Sequence, residues 1–219
     1  MLELLEGPRA LRVRGGGRGV VHLDLDGAVV TVIAPGVPRL PNAIVADAPA
    51  PPFAVAWDPE DPPAWSPVVP RLVGGRAEVR ALEAWLAGRV RARAIDLPGA
   101  AERLLGRGPG LTPEGDDLLG GAAVAVRALG PAAGLTADAV ERLVRALCPA
   151  DARTRTGALS ATLLALAARG AAPEPVHRLL GGQDPEAALA DLRRLGASTG
   201  AAIAEGIRLA VGYLVHTTG

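Results

Sequence analysis

The stretch GRGPGLTPEGDDLLGG, residues 106–121, runs directly into an apolar segment at 118–129. Thr112 followed by Pro113 is typical of an N-cap and a first helical residue, so a helix is predicted over about 113–129. This helix carries most of the apolar residues near the middle of the chain. The rest of the fold is therefore predicted outward from it.

The loop in front of this helix has the composition of a binding loop. Gly108 and Gly110 permit positive φ angles, which bring backbone amides close to a ligand. Unpaired amides at a helix N-terminus, together with the helix dipole, favour a bound anion. Gly108, Gly110, Leu111 and Thr112 are therefore candidate substrate-binding residues.

The first turn of the predicted helix carries three carboxylates. Glu114, Asp116 and Asp117 are either ordinary acids of a helix start or part of a site. In the second interpretation Asp116 or Asp117 is catalytic and orients a nucleophilic nitrogen or holds a divalent cation. Gly120 and Gly121 follow, and glycine inside a helix indicates close approach by another helix or by a ligand.

A second hydroxyl-bearing helix start is predicted near residue 155. Arg153 and Arg155 stand before an apolar run, and Thr156 and Ser160 share one face of a helix predicted over 155–169. The simple interpretation is a capped helix with solvated arginines. The functional interpretation makes the arginines and hydroxyls ligands of a phosphate or carboxylate.

A third such start lies near residue 198. Ser198 and Thr199 precede the last helix, predicted over 199–215, and are caps by default. The positive ends of the helices starting at Thr112, Thr156 and Ser198 are predicted to converge on one small anion.

The N-terminal part of the chain has the pattern of strands. Residues 20–33 alternate around Asp26-Gly27, which predicts a hairpin, with His22 as a solvated strand residue. Shorter strands are expected at 42–46 and 53–57. Eight prolines between residues 48 and 70 then exclude a helix, so Trp57 and Trp65 are expected to anchor a loop.

After residue 74 the apolar spacing becomes helical. The fold class is therefore α+β, with a small β-rich N-terminal domain at 1–74 and a larger, mainly α-helical domain at 75–219. The remaining helices are predicted at 76–94, 137–147, 174–180 and 185–195.

Composition excludes several classes of protein. Acidic and basic residues balance at 23 each, so nucleic acid is not an expected partner. All basic residues are arginine, which excludes P-loop ATPases and lysine Schiff-base chemistry. The three histidines lack ligand spacing, and neither a resident metal nor a cofactor is expected.

The expected setting is the cytoplasm. A single cysteine, Cys148, cannot form an internal disulfide, and the N-terminus lacks the pattern of a signal peptide. The longest apolar stretch, 161–168, is far shorter than the roughly 20 residues that span a bilayer. No membrane partner is expected, whereas self-association is.

The segment GPGLTPEGDDLLGG resembles the signature of domain-of-unknown-function family 2877, which includes the H subunit of the oxamate carbamoyltransferase of allantoin degradation. RTGALS at 155–160 and GASTG at 196–200 resemble two further elements in the same order. The family's last element usually reads GHSSG, with an aspartate two residues beyond. Ala197 and Ala202 occupy those histidine and aspartate positions here.

The resemblance implies a subunit of a carbamoyltransferase complex. Its reaction would transfer a carbamoyl group from carbamoyl phosphate to oxamate, giving oxalurate and phosphate. The expected partners are therefore a small anionic substrate and the other subunits of the complex. A non-catalytic anion-binding or scaffold subunit, favoured by Ala197 and Ala202, stays open, as does magnesium-dependent phosphoryl transfer.

Overall fold

The computed structural model of the chain describes residues 9–17, 19–46, 53–55 and 65–217. The strands are β1 Arg9–Gly17, β2 Val20–Leu25, β3 Ala28–Ile33, β4 Ala43–Val45 and β5 Phe53–Val55. The helices are α1 Arg76–Ala87, α2 Ala100–Leu104, α3 Glu114–Ala133, α4 Ala137–Leu147, α5 Ala152–Arg155, α6 Ala158–Ala167, α7 Glu174–Leu180, α8 Pro185–Arg193 and α9 Thr199–Thr217. The predicted α+β class, with strands before residue 75 and helices after it, is confirmed.

The strands form one sheet in the order β4-β3-β2-β1-β5. All neighbours are antiparallel except β3 and β4. The predicted hairpin is confirmed: β2 and β3 join at Asp26 and Gly27, whose φ angles of 49° and 81° suit a two-residue turn that follows the sheet twist. The short strands expected near 42 and 53 also form. Trp57 lies outside the described residues.

Several helix boundaries differ from the sequence pattern. The helix predicted over 76–94 ends at Ala87, and that predicted over 113–129 continues to Ala133, where Gly134 adopts φ 96°. The helix predicted over 155–169 begins only at Ala158, as α6, because Thr156 is extended, with φ −142° and ψ 175°, and separates it from α5. Helix α2 was missed, since five residues carry too little periodicity to be recognised.

Helices α3 and α9 form the centre of the helical region, and their backbones approach closely. A Cβ on Gly121 would lie 2.3 Å from the carbonyl oxygen of Ile203. A Cβ on Gly206 would lie 1.9 Å from that of Leu118. Only glycine is compatible with this contact, so one of the approaches predicted at Gly120 and Gly121 is helix against helix.

The sheet is fastened to the helices through α6. The Val29 N–H donates to the Thr162 hydroxyl at 3.1 Å, and that hydroxyl donates to the Ala158 carbonyl at 2.8 Å. A second connection is a hydrogen bond from the Glu174 N–H, at the start of α7, to the Arg39 carbonyl between β3 and β4, at 2.9 Å. Sheet and helices therefore meet at fixed points and leave a cavity between them.

Within the described part of the chain, the helices are too short or too polar to cross a lipid bilayer.

Candidate functional site

A cavity of about 510 Å³ lies between the sheet and the N-terminal ends of α3 and α9. Most of its wall is apolar and comes from α3, α6 and the segment around Leu40. The polar side chains of the wall are His22, Asn42, Thr112, Asp116, Asp117, Arg194 and Thr199. The GPGLTPEGDD segment therefore opens onto a cavity.

Asp116 is held in place by the chain around it. The Gly106 N–H donates to one carboxylate oxygen at 2.7 Å, and the Thr156 hydroxyl donates to the other. The side chain is 3% exposed. Each oxygen accepts one hydrogen bond, so Asp116 joins α3 to the loop before it and to the α5–α6 junction.

Asp117 has a different environment. It is 7% exposed, and burial raises the pKa of its carboxyl to about 7. The hydroxyls of Thr199 and Thr112 oppose this shift in pKa, while the charges of Asp116 and Glu114 add to it. Its Oδ2 atom is buried without a hydrogen-bond partner among the described residues. Asp117 can therefore exchange a proton near neutral pH, as a general base requires.

The hydroxyl of Thr112 does not cap helix α3, contrary to the prediction. The helix begins at Glu114 and its N-cap is Pro113, which has φ −52° and ψ 138°. The Thr112 hydroxyl instead lies 3.2 Å from that of Thr199, at the start of α9. The two hydroxyls stand beside Asp117, so side chains next to the starts of α3 and α9 meet there. Convergence of the helix starts on one anion stays a prediction.

The loop glycines 108 and 110 do not line the cavity, although Leu111 does. Their φ angles are 122° and 96°. A Cβ on Gly108 would also lie 2.8 Å from the backbone nitrogen of Glu114. The turn itself therefore accounts for both glycines.

The two predicted arginine ligands also lie outside the cavity wall. Arg155 forms an ion pair with Glu102 at 3.4 Å, and the Arg153 guanidinium lies beside Gly27 in the hairpin turn. Both lie in the short helix α5. Among the described residues, the wall has one arginine, Arg194, which is paired with Asp191 at 2.7 Å.

The other three residues with predicted site hydroxyls, Thr156, Ser160 and Ser198, lie in different places. Thr156 reaches the site only through Asp116, and it does not share a helical face with Ser160 because it precedes α6. Ser160 is 1% exposed, and its hydroxyl has no partner among the described residues. Ser198 is exposed and outside the wall. The three helix starts thus meet through side chains, but only Thr112 and Thr199 face the cavity.

The sequence pattern missed His22 and Asn42. His22 is half-buried and lines the cavity, so its interpretation as a solvated strand residue is wrong. Asn42, the single asparagine of the chain, is 2% exposed. Its position after Pro41, at the start of a short strand, was the only local signal. Both residues enter the wall because the sheet packs on α6.

Residues 104–211 match the model of the family described as oxamate carbamoyltransferase subunit AllH. The match covers about half of the chain and includes helix α3, both aspartates and Thr199. His22 and Asn42 lie outside it. No curated protein and no solved structure matches the chain.

Proposed function

We propose that this protein is a subunit of a carbamoyl-transfer enzyme and that its cavity holds the amide of oxamate beside Asp117. The observation that carries the proposal is the cavity-facing carboxyl of Asp117, with a pKa of about 7, inside the segment that matches the AllH family. A base of this pKa is matched to proton transfer at neutral pH.

In the proposed step the amide nitrogen attacks the carbonyl carbon of carbamoyl phosphate. The nitrogen's electron pair forms the new C–N bond, and the nitrogen's proton passes to the Asp117 carboxylate. The C–O bond to the phosphate breaks, and its electron pair leaves with phosphate. The proton then returns from Asp117 to phosphate or water, so the products are oxalurate, phosphate and the original carboxylate.

The described wall of the cavity has few cationic side chains with which to bind a phosphate. It holds two carboxylates and one arginine, and Arg194 is already paired with Asp191. A phosphate needs cationic partners, which arginine supplies best. We therefore propose that the other subunits of the complex provide the cations that hold carbamoyl phosphate.

The same shortage of cations favours the alternative of a non-catalytic subunit. In that case the cavity would not take part in turnover, and Asp117 would be dispensable. Magnesium-dependent phosphoryl transfer rests on the two adjacent aspartates alone and gains no such support.

The test is the formation of oxalurate from oxamate and carbamoyl phosphate by this protein together with the proteins encoded beside it. Asp117→Asn should lower kcat by about 100-fold or more, the usual contribution of a general base. Asp138→Asn is the matched control, since Asp138 is an exposed acid in the first turn of α4. Unchanged turnover in Asp117→Asn supports the scaffold alternative, and no turnover in any combination removes the proposed reaction.

A further inference from the structure

The sheet side of the cavity carries a connected group of polar side chains. The Asn42 amino group donates to the Val29 carbonyl at 3.0 Å and to the Thr31 hydroxyl at 2.9 Å. The Thr31 hydroxyl lies 2.9 Å from Nδ1 of His22. His22 and Asn42 both line the cavity, whereas Thr31 is fully buried behind them.

These contacts fix the orientation of the asparagine amide. The Val29 carbonyl can only accept a hydrogen bond, so the nitrogen of Asn42 must face it. The other end of the amide, Oδ1, is buried and has no partner among the described residues. A buried acceptor without a donor is costly, so a ligand that donates an N–H would stabilise this arrangement.

The same contacts favour one tautomer of His22. Thr31 is fully buried, so its hydroxyl hydrogen needs an acceptor, and Nδ1 of the imidazole lies within reach of it. A neutral imidazole whose Nδ1 accepts carries its hydrogen on Nε2. Burial lowers the pKa of His22 and so favours the neutral ring. The two wall residues therefore carry one acceptor, Oδ1 of Asn42, and one donor, Nε2–H of His22.

We propose that His22 and Asn42 bind the carboxamide group of the substrate, which rests on the proposed function only in the choice of oxamate as the probe. The amide N–H would donate to Oδ1 of Asn42, and the amide carbonyl would accept from Nε2–H of His22. This pair selects an amide over a carboxylate, because a carboxylate has no hydrogen to donate to Oδ1. The N-terminal sheet is then part of the binding site.

The experiment measures binding to the full-length chain by titration calorimetry. Wild type should bind oxamate about tenfold or more tightly than oxalate, in which a carboxylate replaces the amide, or N,N-dimethyloxamate, which lacks the N–H. His22→Phe and Asn42→Ser should each weaken oxamate binding by about tenfold or more and reduce the preference over oxalate. His216→Gln, at the exposed end of α9, should change neither.

Circular dichroism and thermal unfolding accompany each variant. If Asn42→Ser loosens the sheet, His22→Phe still decides the result, because His22 is only half-buried. Equal affinity for oxamate and oxalate, undiminished binding by His22→Phe, or no oxamate binding at millimolar concentration overturns the amide site. Oxamate binding that follows the expectation, in a complex that forms no oxalurate, contradicts the proposed reaction and leaves the amide site standing.

Discussion

Two adjacent glycines of helix α3, Gly120 and Gly121, differ in how closely other atoms approach them. On the packed side of α3, Gly121 lies against the backbone of α9, where an added Cβ would meet the Ile203 carbonyl oxygen at 2.3 Å. Gly120 and Gly121 both line the cavity, but a Cβ added at Gly120 would have the Ala167 methyl, at 3.7 Å, as its nearest neighbour. The two adjacent glycines thus differ in one respect, since only Gly121 lies against the backbone of another helix.

The largest effect expected from this comparison is on the packed side. Gly121→Ala should lower the free energy of unfolding by about 3 kcal/mol or more, because its methyl would collide with backbone that cannot rotate away. The gain in helix propensity of about 1 kcal/mol is too small to compensate. Chemical denaturation of the purified variant measures the difference.

Gly206→Ala is the matched variant on α9, since its Cβ would lie 1.9 Å from the Leu118 carbonyl oxygen. It should be destabilised to a similar extent. Wild-type stability in either variant would mean that α3 and α9 are further apart than described here.

The packed side was largely predictable from the sequence. The apolar spacing located α4 and α7, and Asp26-Gly27 located the hairpin. What could not be predicted were boundaries set by tertiary contact. Thr156 leaves the helix because its hydroxyl binds Asp116, which is distant in sequence. The domain boundary at 74/75 stays a prediction.

The titration of Asp117, on the cavity side of α3, should make the free energy of unfolding depend on pH. Its pKa of about 7 in the folded state is above the ordinary value of 3.8, so the folded protein binds more protons than the unfolded chain between about pH 4 and 7. The free energy of unfolding should therefore fall as pH rises through this range, by at most about 1.4 kcal/mol per pH unit from this group.

Asp117→Asn should remove this component of the pH dependence. Asp138→Asn, in the exposed first turn of α4, should retain it. The measurement is a series of denaturation curves from pH 4 to 8 for the three proteins. Parallel curves for wild type and Asp117→Asn would show that Asp117 is not buried as described.

The site was only half predictable. Asp116, Asp117 and Thr112 are close in sequence, so their grouping follows from one motif, and Thr199 joins them because α9 crosses α3. No local pattern assigns different roles to the two aspartates, because Gly106 and Thr156 bind only the first. His22 and Asn42 enter the cavity by the docking of the sheet, which no spacing encodes.

A smaller loss of stability is expected when Asp116 loses its hydrogen bond from Thr156. Thr156→Val leaves one buried oxygen of Asp116 without its donor, which should cost about 1–3 kcal/mol of unfolding free energy. Thr156→Ser keeps the hydroxyl and should restore most of that loss. Affinity for oxamate should change little in either variant, because Thr156 does not line the cavity. A large loss of affinity with unchanged stability would instead place Thr156 against the ligand.

The smallest effect on stability belongs to Gly120→Ala. The methyl would stand at ordinary contact distance from Ala167, and glycine inside a helix is about 1 kcal/mol less favourable than alanine. The free energy of unfolding should therefore stay within about 1 kcal/mol of wild type, or rise by that amount. Denaturation beside Gly121→Ala under the same conditions gives the comparison. If Gly120→Ala is as unstable as Gly121→Ala, the volume beside Gly120 is filled in solution, and α3 is packed on both sides.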